Sequence, residues 1–325
     1  MLTAYSFQEY NEKIHDAEKI KGGALFEKEV DIAHRFTMKH QEKDQQSQSC
    51  PICKSVNKDL FFEKWGIAYC RCSRCFSVFA CVSSEATSEY ESSSELTEFY
   101  QSEEYQKNGL EKREERWEEI LDWISFRTYR YKKKNKDLRI TDIGNRWHIF
   151  RKKIIDSELC GEYRLLPSFC EKEEMDGKAD IVMAFDCFQR KSTPYPFLTA
   201  CHRFLKDDGL LFMGIKAGSG MDIILLKEKN RNVFPFEHIL MPSKEGIMEM
   251  LEQSGFELLE LITPGMFDVE YLKEHVSELP EENILMHYLL QNCRKETESD
   301  LQRFIQKAGL SSYAQVVARK KNEEV

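Results

Sequence analysis

Two pairs of closely spaced cysteines constrain this chain more than any other feature of its sequence. Cys50 and Cys53 form the first pair, Cys72 and Cys75 form the second, and 18 residues separate the pairs. Each tight turn presents two thiolates, and four thiolates in a tetrahedron are a ligand set of structural zinc. Because protein thiolates would fill all four positions, no place remains for a reactive water. The sequence therefore predicts one structural zinc ion.

Cys70 leaves the ligand set open at one point, because it lies two residues before Cys72 and could replace it. The segment between the two pairs is rich in aromatic and β-branched residues, which predicts a short hairpin. That hairpin would have little core of its own without a metal. The competing interpretation is a group of reduced thiols that binds no metal.

Cysteine usage and net charge limit the cellular compartments and the kinds of partner that are compatible with this chain. The chain has eleven cysteines, six of them within residues 50–81, and its first residues do not form a cationic start followed by an apolar core. This combination indicates a cytoplasmic protein with metal ligands rather than a secreted protein with disulfides. The formal net charge of −9 disfavours a general nucleic-acid binder. No run of about 18 apolar residues occurs, so no membrane span is expected.

Composition divides the 325 residues into four segments. Residues 1–45 are polar and helical in character, and residues 46–82 hold the zinc ribbon. Residues 83–109 read as an acidic linker, with seven Glu and seven Ser between positions 83 and 104. Residues 110–325 begin with a charged helix and a basic run at 127–139.

The rest of that last segment alternates short apolar runs with helical stretches. We place strands at 138–143, 162–166, 179–185, 209–215, 256–262 and 313–319. Nearly continuous apolar strands alternating with helices are typical of an α/β domain whose sheet is mostly parallel and covered on both faces. The predicted fold is thus a Rossmann-like α/β domain preceded by a zinc ribbon and helical elements.

Five short stretches in the second half of the chain occur in an order typical of one enzyme family. They are Phe-Leu-Lys-Asp-Asp-Gly-Leu-Leu at 204–211, Gly-Ser-Gly-Met-Asp at 218–222, Glu-His-Ile at 237–239, Ser-Gly-Phe-Glu at 254–257 and Thr-Pro-Gly-Met-Phe-Asp-Val at 263–269. With the cysteine pairs ahead of them, they resemble the class I S-adenosylmethionine-dependent methyltransferases. The similarity is to the bacterial branch that carries an N-terminal zinc ribbon and includes sugar C-methyltransferases. It covers roughly residues 50–320.

The resemblance implies a cofactor site at the carboxyl ends of the first strands, where open parallel sheets bind nucleotide-type ligands. The positions that match are Asp142, Gly144 and Asp186. On the substrate side, Glu237 and His238 match the family's positions for a catalytic base or a pair that orients the base. A His beside a carboxylate suits proton abstraction from an activated sugar carbon. The alternative is a solvated Glu next to a His that bonds to the backbone.

Two tyrosines complete the predicted substrate side. Tyr100 and Tyr105 match a tyrosine-rich segment that lies over the active site in relatives. They could equally serve only in packing.

The cofactor positions depart from the family pattern in three places. The glycine-rich turn is replaced by Asp-Ile-Gly-Asn-Arg-Trp at 142–147, which keeps one glycine. Only 37 residues separate Asp142 from Asp180, and by pattern the single strand between them matches the family's third. The second strand and its ribose-binding carboxylate are therefore expected to be missing. Gln189-Arg190 stands where the branch commonly has Glu-His. Losing two charge-assisted hydrogen bonds costs about 3–6 kcal/mol, or roughly 10² to 10⁴ in affinity.

Three functions are compatible with these residues. The first is a methyltransferase-like paralogue with lost or altered S-adenosylmethionine binding, which serves as a scaffold or partner subunit, or holds a nucleotide-sugar or other small molecule. The second is an active S-adenosylmethionine-dependent methyltransferase in which Arg146, Trp147 or the N-terminal segment replaces the lost contacts. The third is nucleic-acid binding by the ribbon and the basic run, which is disfavoured because lysines and arginines also favour an ordinary helix C-terminus.

Overall fold

The computed structural model describes residues 23–40, 49–144, 146, 148–166 and 177–321, without the side chains of residues 108–115 and 149. Expectations for residues 1–22, residues 41–48 and Trp147 lie outside the described residues. The helices in the described part are α1 Ala24–Lys39, α2 Ser84–Glu91, α3 Ser94–Gln101, α4 Glu103–Lys132, α5 His148–Ile155, α6 Tyr195–Phe204, α7 Met221–Leu226, α8 Lys244–Gln253, α9 Asp268–Glu274, α10 Ile284–Asn292 and α11 Lys295–Ala308. None of these helices combines the length and apolar content needed to cross a membrane.

The strands form two sheets. They are β1 Lys58–Lys64, β2 Ile67–Cys72, β3 Val78–Ala80, β4 Leu138–Ile143, β5 Cys160–Leu166, β6 Ala179–Phe185, β7 Leu205–Lys216, β8 Leu240–Met241, β9 Phe256–Ile262 and β10 Tyr313–Lys320. The larger sheet has the order β5-β4-β6-β7-β10-β9. The first four of these strands are parallel, and β10 runs antiparallel to both β7 and β9. The prediction of a mostly parallel, Rossmann-like sheet is confirmed.

The strand at 160–166 corrects one expectation. It pairs in parallel with β4, so that Asp142 lies opposite Leu165 and Ile143 opposite Leu166. It therefore occupies the second-strand position beside the first strand, and the prediction that this strand is missing was wrong. The single short helix α5 explains the placement, because a short connection brings a strand to the neighbouring position in the sheet. Within the described residues, β5 is the edge strand of the larger sheet on this side.

The zinc-ribbon segment builds the smaller sheet, in the order β1-β2-β3-β8. Its last strand comes from the α/β half of the chain, since Phe79 of β3 pairs with Leu240 of β8. One face of this sheet packs in a core with α1, α2 and α4, and the other face packs against α8. The ribbon is thus joined to the α/β domain at the edge where the candidate site lies.

Residues 83–109 were expected to form an acidic linker, and the described backbone is helical there. The serines act as N-caps: the side chains of Ser83, Ser93 and Ser102 accept hydrogen bonds from the backbone N–H groups of Ala86, Leu96 and Tyr105. A serine cap satisfies a donor that the helix itself leaves unbonded, and glutamates in the first turn favour the positive end of the helix. Helix α4 therefore begins at Glu103, seven residues before the start predicted for it at 110.

Candidate functional site

The turn after β4 contacts the ends of both neighbouring strands, β5 and β6. In an open α/β sheet the ligand crevice opens beside the first strand, where the chain order reverses, which here is between β4 and β6. Gly144 follows β4 with a φ of +72°, and its backbone N–H donates to the Leu166 carbonyl at 2.7 Å. A Cβ placed on Gly144 would lie 2.7 Å from the Cβ of Cys187, which follows β6. Glycine is therefore required at this position.

The two aspartates predicted for the cofactor site also have protein partners. Asp142 is fully buried, and its Oδ2 accepts a hydrogen bond of 2.7 Å from the Tyr163 hydroxyl on β5. Asp186 has a φ of +53°, and its backbone carbonyl accepts a hydrogen bond of 3.0 Å from Arg190 Nη1. Both residues lie at the predicted edge of the sheet; the Asp142 contact joins β4 to β5, and the Asp186 contact closes the turn after β6.

A group of charged and tyrosine side chains lies at the same edge of the sheet, and we call it the Glu237 network. It consists of Glu29, Tyr90, Glu91, Tyr100, Arg146, Arg190, Lys191 and Glu237. Helices α1, α2 and α3, the turn after β4, the segment after β6 and the loop before β8 each contribute to it. Its first and last members, Glu29 and Glu237, are more than 200 residues apart along the chain.

Glu237 is the centre of the network. Its Oε1 accepts hydrogen bonds from the hydroxyls of Tyr90 at 3.0 Å and Tyr100 at 3.1 Å. Its Oε2 lies 3.4 Å from Arg190 Nη1 and 3.7 Å from Arg146 Nη1. Burial alone would raise the pKa of Glu237, but the positive charges of Arg146 and Arg190 outweigh it and hold that pKa below its ordinary value. Glu237 is consequently a buried, ionised carboxylate.

Arg146 connects the cofactor turn to this network. Its guanidinium lies 3.5 Å from the centre of the Tyr100 ring, a cation–π contact. Its Nη1 lies 3.9 Å from Glu29 Oε1. Its backbone carbonyl accepts a hydrogen bond of 2.7 Å from Gln106 Nε2 on α4. The residue that replaces a glycine of the expected turn is thus fixed by contacts with three helices.

The outer part of the network joins α2 to the segment after β6. Glu91 accepts hydrogen bonds of 2.7 and 2.8 Å from Lys191 and lies 3.5 Å from Arg190 Nε. Arg190 occupies one of the two positions that depart from the family's Glu-His. Its side chain is 6% exposed, so its charge is compensated by Glu91 and Glu237 rather than by water.

His238 is adjacent to Glu237 but faces different groups. Its Nδ1 accepts a hydrogen bond of 3.4 Å from the Phe234 backbone N–H, and its ring meets the Phe234 ring edge-on at 5.1 Å. Burial, together with the positive charge of Lys216, lowers the pKa of His238 to about 3. His238 is therefore neutral near pH 7, with its proton on Nε2. The role of Glu237 and His238 as a base pair remains a prediction, and the structure places their side chains in separate surroundings.

Both predicted substrate-side tyrosines lie at the network. The Tyr100 hydroxyl bonds to carboxylates, and the Tyr105 ring packs 5.0 Å from the ring of Tyr100 and 5.0 Å from that of Phe99. Sequence reasoning did not single out Glu29, Tyr90 or Glu91. No local pattern distinguishes them from other polar helix residues.

The four predicted zinc ligands converge. Their Sγ atoms all lie within 4.8 Å of one another, and the four cysteines are buried. Cys50 and Cys75 are 3.6 Å apart at sulfur, and Cys53 and Cys72 are 3.4 Å apart. A tetrahedron with zinc–sulfur bonds of about 2.3 Å has sulfur–sulfur separations of about 3.8 Å. The thiols therefore fit one zinc ion with small adjustments.

The two cysteine turns have the same backbone geometry. In each, the backbone N–H of the first cysteine donates a hydrogen bond of 2.9 Å to the carbonyl of the serine five residues later, Ser55 or Ser77. The residue after each pair has a left-handed backbone, with φ of +58° at Lys54 and +59° at Phe76. Local sequence thus preforms both halves of the site.

Cys70 lies outside this ligand group. Its Sγ is 3.4 Å from that of Cys81, on the neighbouring strand segment. Among the described cysteines, the metal-binding group consists of the four predicted residues, and Cys70 does not replace Cys72.

Comparison with known proteins gives structural similarity only. No family model and no curated protein matches the chain. A protein from Galdieria sulphuraria assigned as a sarcosine dimethylglycine methyltransferase is 15% identical, with a TM-score of 0.40 and coverage of 62% of this chain and 86% of that one. The cyclopropane synthase MmaA2 of Mycobacterium tuberculosis is 16% identical, with a TM-score of 0.34 and coverage of 57% and 79%.

A third similar structure contains a cofactor product. It is the Haemonchus contortus phosphoethanolamine N-methyltransferase 2 with phosphomonomethylethanolamine and S-adenosylhomocysteine, 16% identical, with a TM-score of 0.36 and coverage of 60% and 51%. The sheet order and register of this chain are those of a mixed, Rossmann-like α/β fold.

Proposed function

We propose that this chain is a methyltransferase-like protein that no longer binds S-adenosylmethionine in the usual way. It serves as a scaffold or partner subunit, or it carries out altered chemistry on a sugar-type ligand. The observation that carries the proposal is the position of Arg146. The turn that should bring the backbone close to a cofactor instead holds a guanidinium stacked on Tyr100 and facing Glu237.

Two further features of the strand ends support the proposal. Gly144 lies between the end of β5 and Cys187, and its N–H is already bonded to the Leu166 carbonyl. Strand β5 ends in Leu165 and Leu166, so the second strand is present but carries no carboxylate at its described end. The loss of these polar contacts corresponds to about 3–6 kcal/mol of cofactor affinity.

The zinc ion has a structural role in this proposal. The turn at 50–53 contacts helix α6, since the Tyr195 hydroxyl donates to the Ile52 carbonyl at 2.5 Å. The turn at 72–75 contacts the start of α8, since the Ser243 hydroxyl donates to the Cys75 carbonyl. With all four positions held by thiolates, the metal would fix the ribbon against these helices and would offer no open coordination position.

An active methyltransferase with an unusual pocket is the second candidate. Arg146 and a residue of the N-terminal segment, Glu29, were the kinds of group expected to supply replacement contacts, and they do meet at the site. On this candidate, the sugar C-methyltransferase resemblance makes a nucleotide sugar the substrate to test.

Nucleic-acid binding cannot use the first residue of the basic run. Its first residue, Arg127, is 7% exposed and forms an ion pair of 2.7 Å with the buried Glu260. We infer that this end of α4 anchors the helix to β9. Small molecules and a protein partner remain the proposed ligands.

Calorimetric titration of the zinc-loaded protein with S-adenosylmethionine and S-adenosylhomocysteine tests the proposal. We expect no saturable heat at millimolar ligand. Micromolar binding would overturn the loss of cofactor binding and favour the second candidate. The variant Arg146→Gly serves as a comparison, because it restores a glycine to the turn and removes the guanidinium. Weak binding gained in this variant alone would identify the Arg146 side chain as the obstruction.

A further inference from the structure

The Glu237 network contains one carboxylate that differs from the others in its access to solvent. The Glu29 side chain is 22% exposed, whereas that of Glu237 is 5% exposed. Glu29 belongs to α1, and its neighbour Arg146 is 18% exposed. The network therefore has a deep carboxylate and an outer carboxylate, and the outer one lies where a molecule from solution could arrive.

Glu29 and Glu237 bind the same hydroxyl. Tyr100 lies 2.6 Å from Glu29 Oε1 and 3.1 Å from Glu237 Oε1, and a phenol has a single proton to donate. Arg146 lies between the same two carboxylates, at 3.9 Å from Glu29 and 3.7 Å from Glu237. Tyr100 and Arg146 thus form a donor pair that recognises a carboxylate at the position of Glu29.

The charge of the network depends on Glu29. Among its described members, the cations are Arg146, Arg190 and Lys191, and the carboxylates are Glu29, Glu91 and Glu237. Without Glu29, one positive charge is left in excess. A buried, uncompensated cation is unfavourable, so this position attracts one negative charge.

The attachment of α1 allows that charge to come from outside. Ion pairs on its surface join Lys28 to Glu104 and Glu27 to Arg231, and each of these four side chains is more than half exposed. Exposed ion pairs of this kind contribute little to stability. These exposed ion pairs therefore oppose displacement of the Glu29 side chain only weakly, while Ile32 and Ala33 keep α1 itself in the core.

We propose that Glu29 occupies a binding site for the carboxylate of a small molecule, formed by Tyr100 and Arg146 above Glu237. The inference rests on the proposed function, since it names the ligand class of the same site. A ligand carboxylate replaces that of Glu29, takes its hydrogen bond from Tyr100 and its ion pair with Arg146, and displaces the Glu29 side chain toward solvent. The site is thereby closed by the protein's own side chain until such a ligand competes for it.

Binding of acetate to the variant Glu29→Ala tests the inference. The substitution removes the carboxylate and one methylene, which is the volume that acetate would fill. We expect acetate to raise the thermal midpoint of this variant and to bind it at least tenfold more tightly than it binds the wild type, at constant ionic strength. The double variant Glu29→Ala with Arg146→Met should lose the gain. No difference in acetate affinity between Glu29→Ala and wild type would overturn the site.

Two controls separate this site from general charge effects. Glu27→Ala removes a carboxylate from the same helix outside the network, and it should bind acetate as the wild type does. Neutral acetamide should not stabilise Glu29→Ala. Equal stabilisation by inorganic phosphate would show recognition of charge alone and would overturn the assignment to carboxylates.

Should Glu29→Ala fail to fold, Glu29→Ser permits the same comparison. Cofactor binding does not enter these titrations, so the result is independent of the calorimetric test above.

Discussion

Replacing Glu237 with glutamine tests the central ion pairs of the network while keeping the shape of the side chain. Glutamine retains an oxygen that can accept from Tyr90 and Tyr100, but it removes the negative charge that faces Arg146 and Arg190. Breaking a buried pair by removing one partner costs about 3–5 kcal/mol. Because the two arginines keep other carboxylate neighbours, we expect about 3 kcal/mol, the lower end of that range.

The pH dependence of this loss provides a second measurement. The pKa of Glu237 is lowered in the folded protein, so its charged form is stabilised by folding. That stabilisation is complete above the unfolded pKa, close to the ordinary value of 4.5, and disappears as the pH falls through the folded pKa. The difference in unfolding free energy between wild type and Glu237→Gln should therefore be constant from about pH 8 to 5 and shrink at lower pH.

Urea unfolding followed by tryptophan fluorescence measures both quantities. Glu257→Gln is the matched control, because Glu257 is 52% exposed and lies 3.5 Å from Arg319. The control should change the unfolding free energy by less than about 0.5 kcal/mol at every pH. A Glu237→Gln variant that is as stable as this control would refute the interpretation of the network as a set of buried, mutually compensating charges.

Three other predictions concern the metal, the helix anchor and the histidine. Cys75→Ser should reduce the bound zinc to well below one ion per chain by atomic absorption, and circular dichroism should show a loosened ribbon, whereas Cys81→Ser should retain the metal. Arg127→Met should lower the unfolding free energy by about 3–5 kcal/mol because it leaves Glu260 charged and buried, and a double variant with Glu260→Leu should recover most of that loss in urea unfolding. The pKa of His238 is lowered to about 3, so its imidazole NMR signals should not shift between about pH 8 and 5; a titration near the ordinary value of 6.5 would contradict its burial.

Some parts of the site could be predicted because the signal is local. The zinc ligands were identified from spacing alone, since each Cys-x2-Cys turn closes through hydrogen bonds within six residues of chain. The strands at 138–143, 179–185 and 256–262 have the predicted bounds, and the strand at 179–185 is buried along its whole length, as expected for a central parallel strand. The helices at 84–91 and 94–101 also had a local signal, because a serine followed by a glutamate is typical of a helix start. The acidic composition of that segment nevertheless led to its interpretation as a linker.

The position of β5 shows where local reasoning ends. The apolar pattern predicted a strand near 162–166, but pattern alone assigned it to the third position of the sheet rather than the second. Its true neighbour is fixed by the register with β4, and pairing between strands depends on hydrogen bonds that the sequence does not encode locally.

By itself, therefore, the sequence determined the two cysteine pairs, the alternation of strands and helices, and the loss of the glycine-rich turn, whereas the structure excluded Cys70 from the ligand group. Tertiary structure alone decided what replaced that turn. Arg146 is buried beside Tyr100 and Glu237 because the burial of its charge requires carboxylates from elements distant in sequence. The same requirement pairs Glu29 with Arg146, and the fold also places the His238 ring against the Phe234 backbone. Long-range charge compensation depends on the completed fold, and no spacing of residues along the chain reveals it.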